Sequence, residues 1–360
     1  MSLPNPLLSR LGIALPIIQA PMAGVSTPAM AAAVSNAGGL GSLGVGATNA
    51  AGARKVIRET RALTGKPFNI NLFCHPPAIA DVAVERAWLD YLAPEFAKWG
   101  AEPPTRLAEI YKSFVADEEM LEMLLEEKPA VVSLHFGLPR REWLDRLHAA
   151  GIYLMASATN LADARRIEDA GVDAIVAQGV EAGGHRGMFD LNAVDEGLGT
   201  MALVRMLVKN VGLPVIASGG IMDGAGIAAA LALGAQAAQL GTAFVTTTES
   251  AADAAYRNAL LSGAPFRTAF TRSISGRAAR GIHNRLMALG EAPGHPRVPD
   301  YPIAYDAGKS LHAAAKAKGS ADYAAQWSGQ AGSLARAMSS GELVATLASE
   351  LEGTIKALRG

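Results

Sequence analysis

Residues 181–187 read EAGGHRG: one histidine, His185, and one arginine stand among four small residues, directly after the apolar run AIVAQG. An imidazole titrates near pH ~6.5, so it can accept or release a proton under ordinary conditions. A loop stripped to glycine lets a flat ligand come close to the backbone. Two further glycine-bearing turns are ASGGI (Ser218, Gly219, Gly220) and QLGTA (Gln239, Gly241, Thr242). Backbone N–H groups in such turns can cradle an anion, phosphate in particular. His135, in HFGLP, stands at the end of another apolar run and can line the same mouth.

Other chemistries fit less well. Cys74, His75, His135 and His185 come from separate segments with no close ligand spacing, so no metal site is expected. No G-x-S-x-G elbow is present, which argues against a serine hydrolase of that type. Gly39, Gly41 and Gly44 in GLGSLG satisfy G-x-G-x-x-G, but they follow a helical pattern and form the strand. A dinucleotide site needs that motif after a strand and opening a helix, so these glycines read as small residues in a wall.

The elements that must position these residues repeat a single phrase: a helical pattern, a glycine, then a short apolar run. TPAMAAAVSNAG leads to GLGSLG, NLADARRIEDAG to AIVAQG and MALVRMLVKNVG to PVIASGG. Glycine after a helix is a C-cap signal, and Asn160 and Asp223 stand where N-caps belong. With PIIQAP counted, eight strand candidates alternate with helices, which predicts an α/β fold, a (β/α)8 TIM barrel closing near Phe244. Barrel sites lie at the C-terminal strand ends, and phosphate sites use the loops after strands seven and eight. SGGI and LGTA occupy those two loops, and His185 follows strand six.

Residues 1–245 are expected to form the barrel, with an excursion at about 74–116 after strand three, and 246–360 a helical and loop region covering the active site and packing on the barrel. A formal net charge of −1 over 360 residues offers no basic field for nucleic acid and no polybasic membrane patch. The uncharged stretch between Arg10 and Arg54 is interrupted by Pro16, Pro21 and Pro28, so it reads as buried strands rather than a membrane span. A lone cysteine and a start without signal-peptide character make a cytoplasmic location the expectation. Monomer and homodimer both stay open.

QAPMAGVS, FNINLFCH, HFGLP and QGVEAGGHRG resemble, in order, the four motifs of class I nitronate monooxygenases. The resemblance implies an FMN-dependent barrel that oxidises alkyl nitronates, propionate 3-nitronate above all, with O2 to a carbonyl compound and nitrite. It implies that Met22 and Gly24 approach the flavin through the backbone and that Asn71 and Gln178 hydrogen-bond it. Gly183, Gly220, Gln239, Gly241 and Thr242 would hold the ribityl-phosphate end. The similarity extends to YPIAYDAGK, where Tyr301, Tyr305 and Lys309 would reach over the substrate. Tyr305 and Lys309 are four apart and can share a helix face, and a cation with two phenols suits an organic anion. The nearest alternative is an FMN barrel using NAD(P)H, an enoyl-acyl-carrier-protein reductase or a quinone reductase. A flavin-free aldolase or isomerase leaves QAPM unexplained.

Overall fold

In the computed structural model, which describes residues 5–263 and 267–359, eight parallel strands form one sheet. They are β1 Ile17–Gln19, β2 Gly41–Gly44, β3 Phe68–Phe73, β4 Val131–His135, β5 Tyr153–Ala158, β6 Ala174–Gln178, β7 Val215–Ser218 and β8 Ala237–Leu240. Each pairs with its neighbour in chain order, β8 pairs with β1, and a parallel bridge from Ile18 to Leu40 closes the ring. This is the expected (β/α)8 barrel. Asn160 and Asp223 cap the helices Leu161–Asp169 and Gly224–Ala232, their carboxamide and carboxylate oxygens accepting from Asp163 and Gly226 N–H.

The glycines of GLGSLG serve packing. A Cβ on Gly41 would lie 2.0 Å from the Ala31 carbonyl oxygen, so the helix Pro28–Asn36 sits on β2 only because that side chain is missing. Strand eight ends at Leu240, earlier than the sequence pattern suggests. At Gly241 the backbone turns helical, and Thr242–Val245 form one short turn.

The barrel interior changes character along its axis. At the N-terminal end Ile18, Leu40, Val131, Met155, Val176 and Ile216 pack together. Leu7 and Leu11 of the short helix Pro6–Leu11 plug that end. The middle is polar: Gln19 accepts from Ser42 N–H at 2.7 Å, and Asn69 donates to Ser42 and Ser133 hydroxyls, its Oδ1 lacking a partner among the described residues. The opposite end opens toward the strand termini.

The residues after strand eight do two jobs. The last helix, Ser340–Arg359, packs against Gly224–Ala232 and Pro28–Asn36, on the outer wall where a barrel's eighth helix belongs. Between strand eight and that helix the chain crosses the mouth. There it adds two strands, β9 Thr268–Thr271 and β10 Ala279–Ile282, and the helices Arg285–Glu291 and Ile303–Lys316. The excursion helix Val82–Lys98 packs on Ile303–Lys316. Glu95 holds the two segments together by accepting from Arg285, Lys98 and Tyr323, which keeps its carboxyl near pKa 2. Among the described residues no helix is long and apolar enough to cross a membrane.

Candidate active site

A cavity of about 940 Å³ opens at the C-terminal ends of the strands, under the extension. Its size falls within the range of about 300–1,000 Å³ usual for small-molecule and cofactor sites. Every site residue singled out from the sequence borders it: Met22, Gly24, Asn71, His135, Gln178, Gly183, His185, Gly220, Gln239, Gly241, Thr242, Tyr301, Tyr305 and Lys309.

His185 does not lie on a bare loop. Gly184 and His185 form a two-residue strand that pairs antiparallel with β10, with Ala279 opposite His185. The partner strand lies almost a hundred residues on, so local pattern gives no sign of it. Gly184 has φ +79°, and a Cβ there would touch nothing, so its glycine serves the backbone conformation rather than packing. The His185 ring is walled by Phe136, Tyr301, Tyr305 and Trp327, with centroids 5.2–6.0 Å away. Its Nε2 lies 2.8 Å from the Ser275 hydroxyl.

Behind this wall sits Arg277, 1% exposed, its guanidinium 4.0 Å over the Phe136 ring. Nη2 donates to the Met188 carbonyl, whereas Nε and Nη1 have no partner among the described residues. Burial, reinforced by this cation and by His135 and His75, holds the His185 pKa well below 6.5. The same causes, burial first and then Arg277, bring His135 and His75 down to about 4. All three rings are therefore neutral at pH 7.

Two predicted residues serve the His185 backbone. His135 Nε2 donates to the His185 carbonyl at 3.1 Å, and Nδ1 faces the Ser157 hydroxyl at 2.9 Å. Both nitrogens are engaged within the protein, so His135 presents only ring carbon to the cavity. Gln178 donates to the same carbonyl at 2.9 Å and accepts from Gly187 N–H at 2.8 Å, bracketing the loop. Arg186, 2% exposed, reaches Asp195 with two nitrogens at 2.8 Å and the Gln178 carbonyl with a third, fixing the loop from outside.

Another part of the cavity wall is built from backbone. The amide N–H groups of Gly220, Gly241 and Thr242 have no acceptor among the described residues. Gly220 is exposed, Gly241 half-buried and Thr242 buried, and three backbone donors left open at one cavity wall make a cradle for an anion. The extension closes over it: Gly329 N–H donates to the Thr242 hydroxyl at 3.0 Å, and Gln330 N–H to the Glu181 carbonyl at 2.9 Å. A Cβ on Gly183 would lie 2.6 Å from the Gly329 nitrogen, which is why this crossing needs glycine. Asn71, also on the cavity wall, donates to Ser133 and leaves its side-chain carbonyl oxygen free among the described residues. The turn from Met22 to Ser26 is tied by Met22 N–H to the Ser26 hydroxyl, with Gly24 at φ +77° on open space.

Tyr305 and Lys309 do share a helix face, on Ile303–Lys316. The Lys309 ammonium lies 4.8 Å from the Tyr111 ring centroid and 5.4 Å from that of Tyr305. Tyr111, Trp327, Ser275 and Arg277 are absent from the sequence-based set. Tyr111 is an isolated aromatic in the irregular excursion. Trp327 Nε1 donates to the Tyr305 hydroxyl at 3.1 Å, a contact across chain segments that no spacing foretells.

Barrel, anion cradle and walled imidazole together make the open end of a (β/α)8 barrel a cavity suited to a phosphate-bearing ligand. Among the described residues no group of three His, Cys, Asp or Glu is arranged to hold a metal ion. The nitronate monooxygenase family model matches residues 5–350, and the chain belongs to that family and is an oxidoreductase. It is 66% identical over 353 residues to a nitronate monooxygenase of Paraburkholderia phytofirmans, covering 98% of this chain and 96% of that protein. It is 58% identical to a nitronate monooxygenase of Pseudomonas aeruginosa, covering 95% and 98%. Among solved structures, nitroalkane oxidase from Streptomyces ansochromogenes superposes with TM-score 0.88 at 41% identity, over 98% of this chain and 99% of that one. FabK from Thermotoga maritima superposes at 0.74 with 27% identity, over 100% and 99%.

Proposed function

We propose that the protein binds FMN in this cavity and oxidises anionic alkyl nitronates, propionate 3-nitronate in particular, with O2 to a carbonyl compound and nitrite. The observation that carries this reading is one cavity lined both by open amide donors and by a neutral imidazole. The residues fit the cofactor. Gly220, Gly241 and Thr242 would bind its phosphate through backbone N–H, with Gly183 and Gln239 alongside. The Met22–Gly24 turn and the Asn71 carbonyl oxygen would border the ring system. The bound flavin supplies electron acceptance and the reaction with O2; the protein supplies binding, orientation and electrostatics.

On the substrate side, Lys309 with Tyr111, Tyr301 and Tyr305 would receive the carboxylate. His185, held neutral, is a poor acceptor for a carbon-bound proton and a suitable hydrogen-bond donor to an anion already formed. This favours the preformed nitronate over the neutral nitroalkane. The test is nitrite release from propionate 3-nitronate by the purified, flavin-loaded protein. Rapid nitrite release supports the reading. Its absence, together with flavin bleaching by NADPH alone, would favour the NAD(P)H-dependent alternative.

A further inference from the structure

We propose that Ser275 is a positioning residue: its hydroxyl donates to Nε2 of His185, which puts the ring's single proton on Nδ1 and turns an N–H toward the anion in the cavity. The inference rests on the nitronate reading for its consequence, but its structural content can be tested alone.

Ser275 is fully buried, in the turn that leads into β10, beside the strand carrying His185. A serine hydroxyl has one proton and can accept from others. Its oxygen accepts from Arg277 N–H at 3.4 Å, so the proton is left for one of two acceptors. One is His185 Nε2 at 2.8 Å; the other is the Arg277 carbonyl at 3.1 Å. The imidazole nitrogen is nearer and more basic, so it takes the proton.

A neutral imidazole that accepts at Nε2 carries its hydrogen on Nδ1, and Nδ1 has no protein partner among the described residues. The groups facing the ring keep it neutral. His75 and His135 are uncharged at pH 7, Tyr301 and Tyr305 are pushed above the usual phenol range by burial, and Arg277 remains a cation. Without the serine proton the two tautomers would exchange freely. The one with a lone pair on Nδ1 would then face an anion unfavourably.

The experiment uses flavin-loaded protein labelled with 15N in its seven histidines. Long-range 1H–15N correlation distinguishes protonated from lone-pair nitrogens, and the His185 signal is assigned by its loss in His185→Asn. The expected result is a proton on Nδ1 in the unsubstituted protein. In Ser275→Ala we expect a mixture of tautomers, normal flavin content and kcat/KM for propionate 3-nitronate lowered about tenfold. Ser275→Thr, which keeps the hydroxyl, should retain most activity. A proton on Nε2 in the unsubstituted protein, or equal turnover in Ser275→Ala, would overturn the proposal. If Ser275→Ala does not fold, the tautomer of the unsubstituted protein decides the matter. If the unsubstituted protein makes no nitrite, the functional reading fails while the tautomer assignment still stands or falls on the spectrum.

Discussion

At the scale of single residues, an imidazole kept neutral beside a buried guanidinium can do one job well, which is to donate a hydrogen bond to negative charge. His185→Asn should therefore lower nitrite formation about 10²–10³-fold, the usual cost of losing one preorganised donor at a reacting anion. Flavin content should stay unchanged, because the proposed phosphate donors are the backbone N–H groups of Gly220, Gly241 and Thr242 and not the His185 ring. Turnover of the preformed nitronate should show no inflection from His185 between pH 8 and 6, since its pKa is held well below 6.5. A steady-state pH series checks this, and an inflection near 6.5 would count against a neutral donor. His185 and the open amides of Gly220 and Gly241 were legible in the sequence because each lies in a glycine-bearing segment a few residues after an apolar run. Ser275 and Arg277 were not legible: they act through contacts with residues about ninety positions away, and neither stands at a strand end of the barrel.

At the scale of elements, the crossing of the extension over the open amides depends on Gly183, whose absent side chain admits the Gly329 backbone. Gly183→Ala should weaken FMN retention at least tenfold while far-ultraviolet circular dichroism stays unchanged. Equilibrium dialysis of the flavin provides the check, and unaltered affinity would show that the crossing does not guard the cofactor. A second joint is Glu95, 3% exposed, between the excursion helix and the extension. Glu95→Gln removes the charge that Arg285 and Lys98 pair with, and should cost about 1–3 kcal/mol in a denaturant melt. The alternation of helix, glycine and apolar run made the barrel readable, since that periodicity is local. The small sheet of β9, β10 and Gly184–His185 was unreadable, because one of its strands has two residues and pairing alone defines it. Packing of the C-terminal region on the barrel was an expectation of the sequence, but the seat of Ser340–Arg359 against Gly224–Ala232 and Pro28–Asn36 lay beyond local pattern, because the helix is separated from strand eight by the whole crossing.

At the scale of the molecule, three buried histidines make stability depend on pH with a definite sign. His75, His135 and His185 have folded pKa values below the ordinary 6.5, two of them at about 4. As pH falls from 6.5 toward 4, the unfolded chain binds protons that the folded protein refuses, so stability is full above 6.5 and is lost on acidification. The Tm should fall steadily from pH 7 to 5, a window above the ordinary carboxylate range; a Tm constant over that window would mean that these rings are not buried neutral.

The central claim is that one cavity brings a flavin and an anionic nitronate together beside His185. Anaerobic mixing of the flavin-loaded protein with propionate 3-nitronate, followed by visible absorbance, tests it most directly. The account predicts prompt loss of the flavin absorbance with the nitronate and none with NADPH. A flavin that bleaches with NADPH and stays oxidised with the nitronate would contradict it.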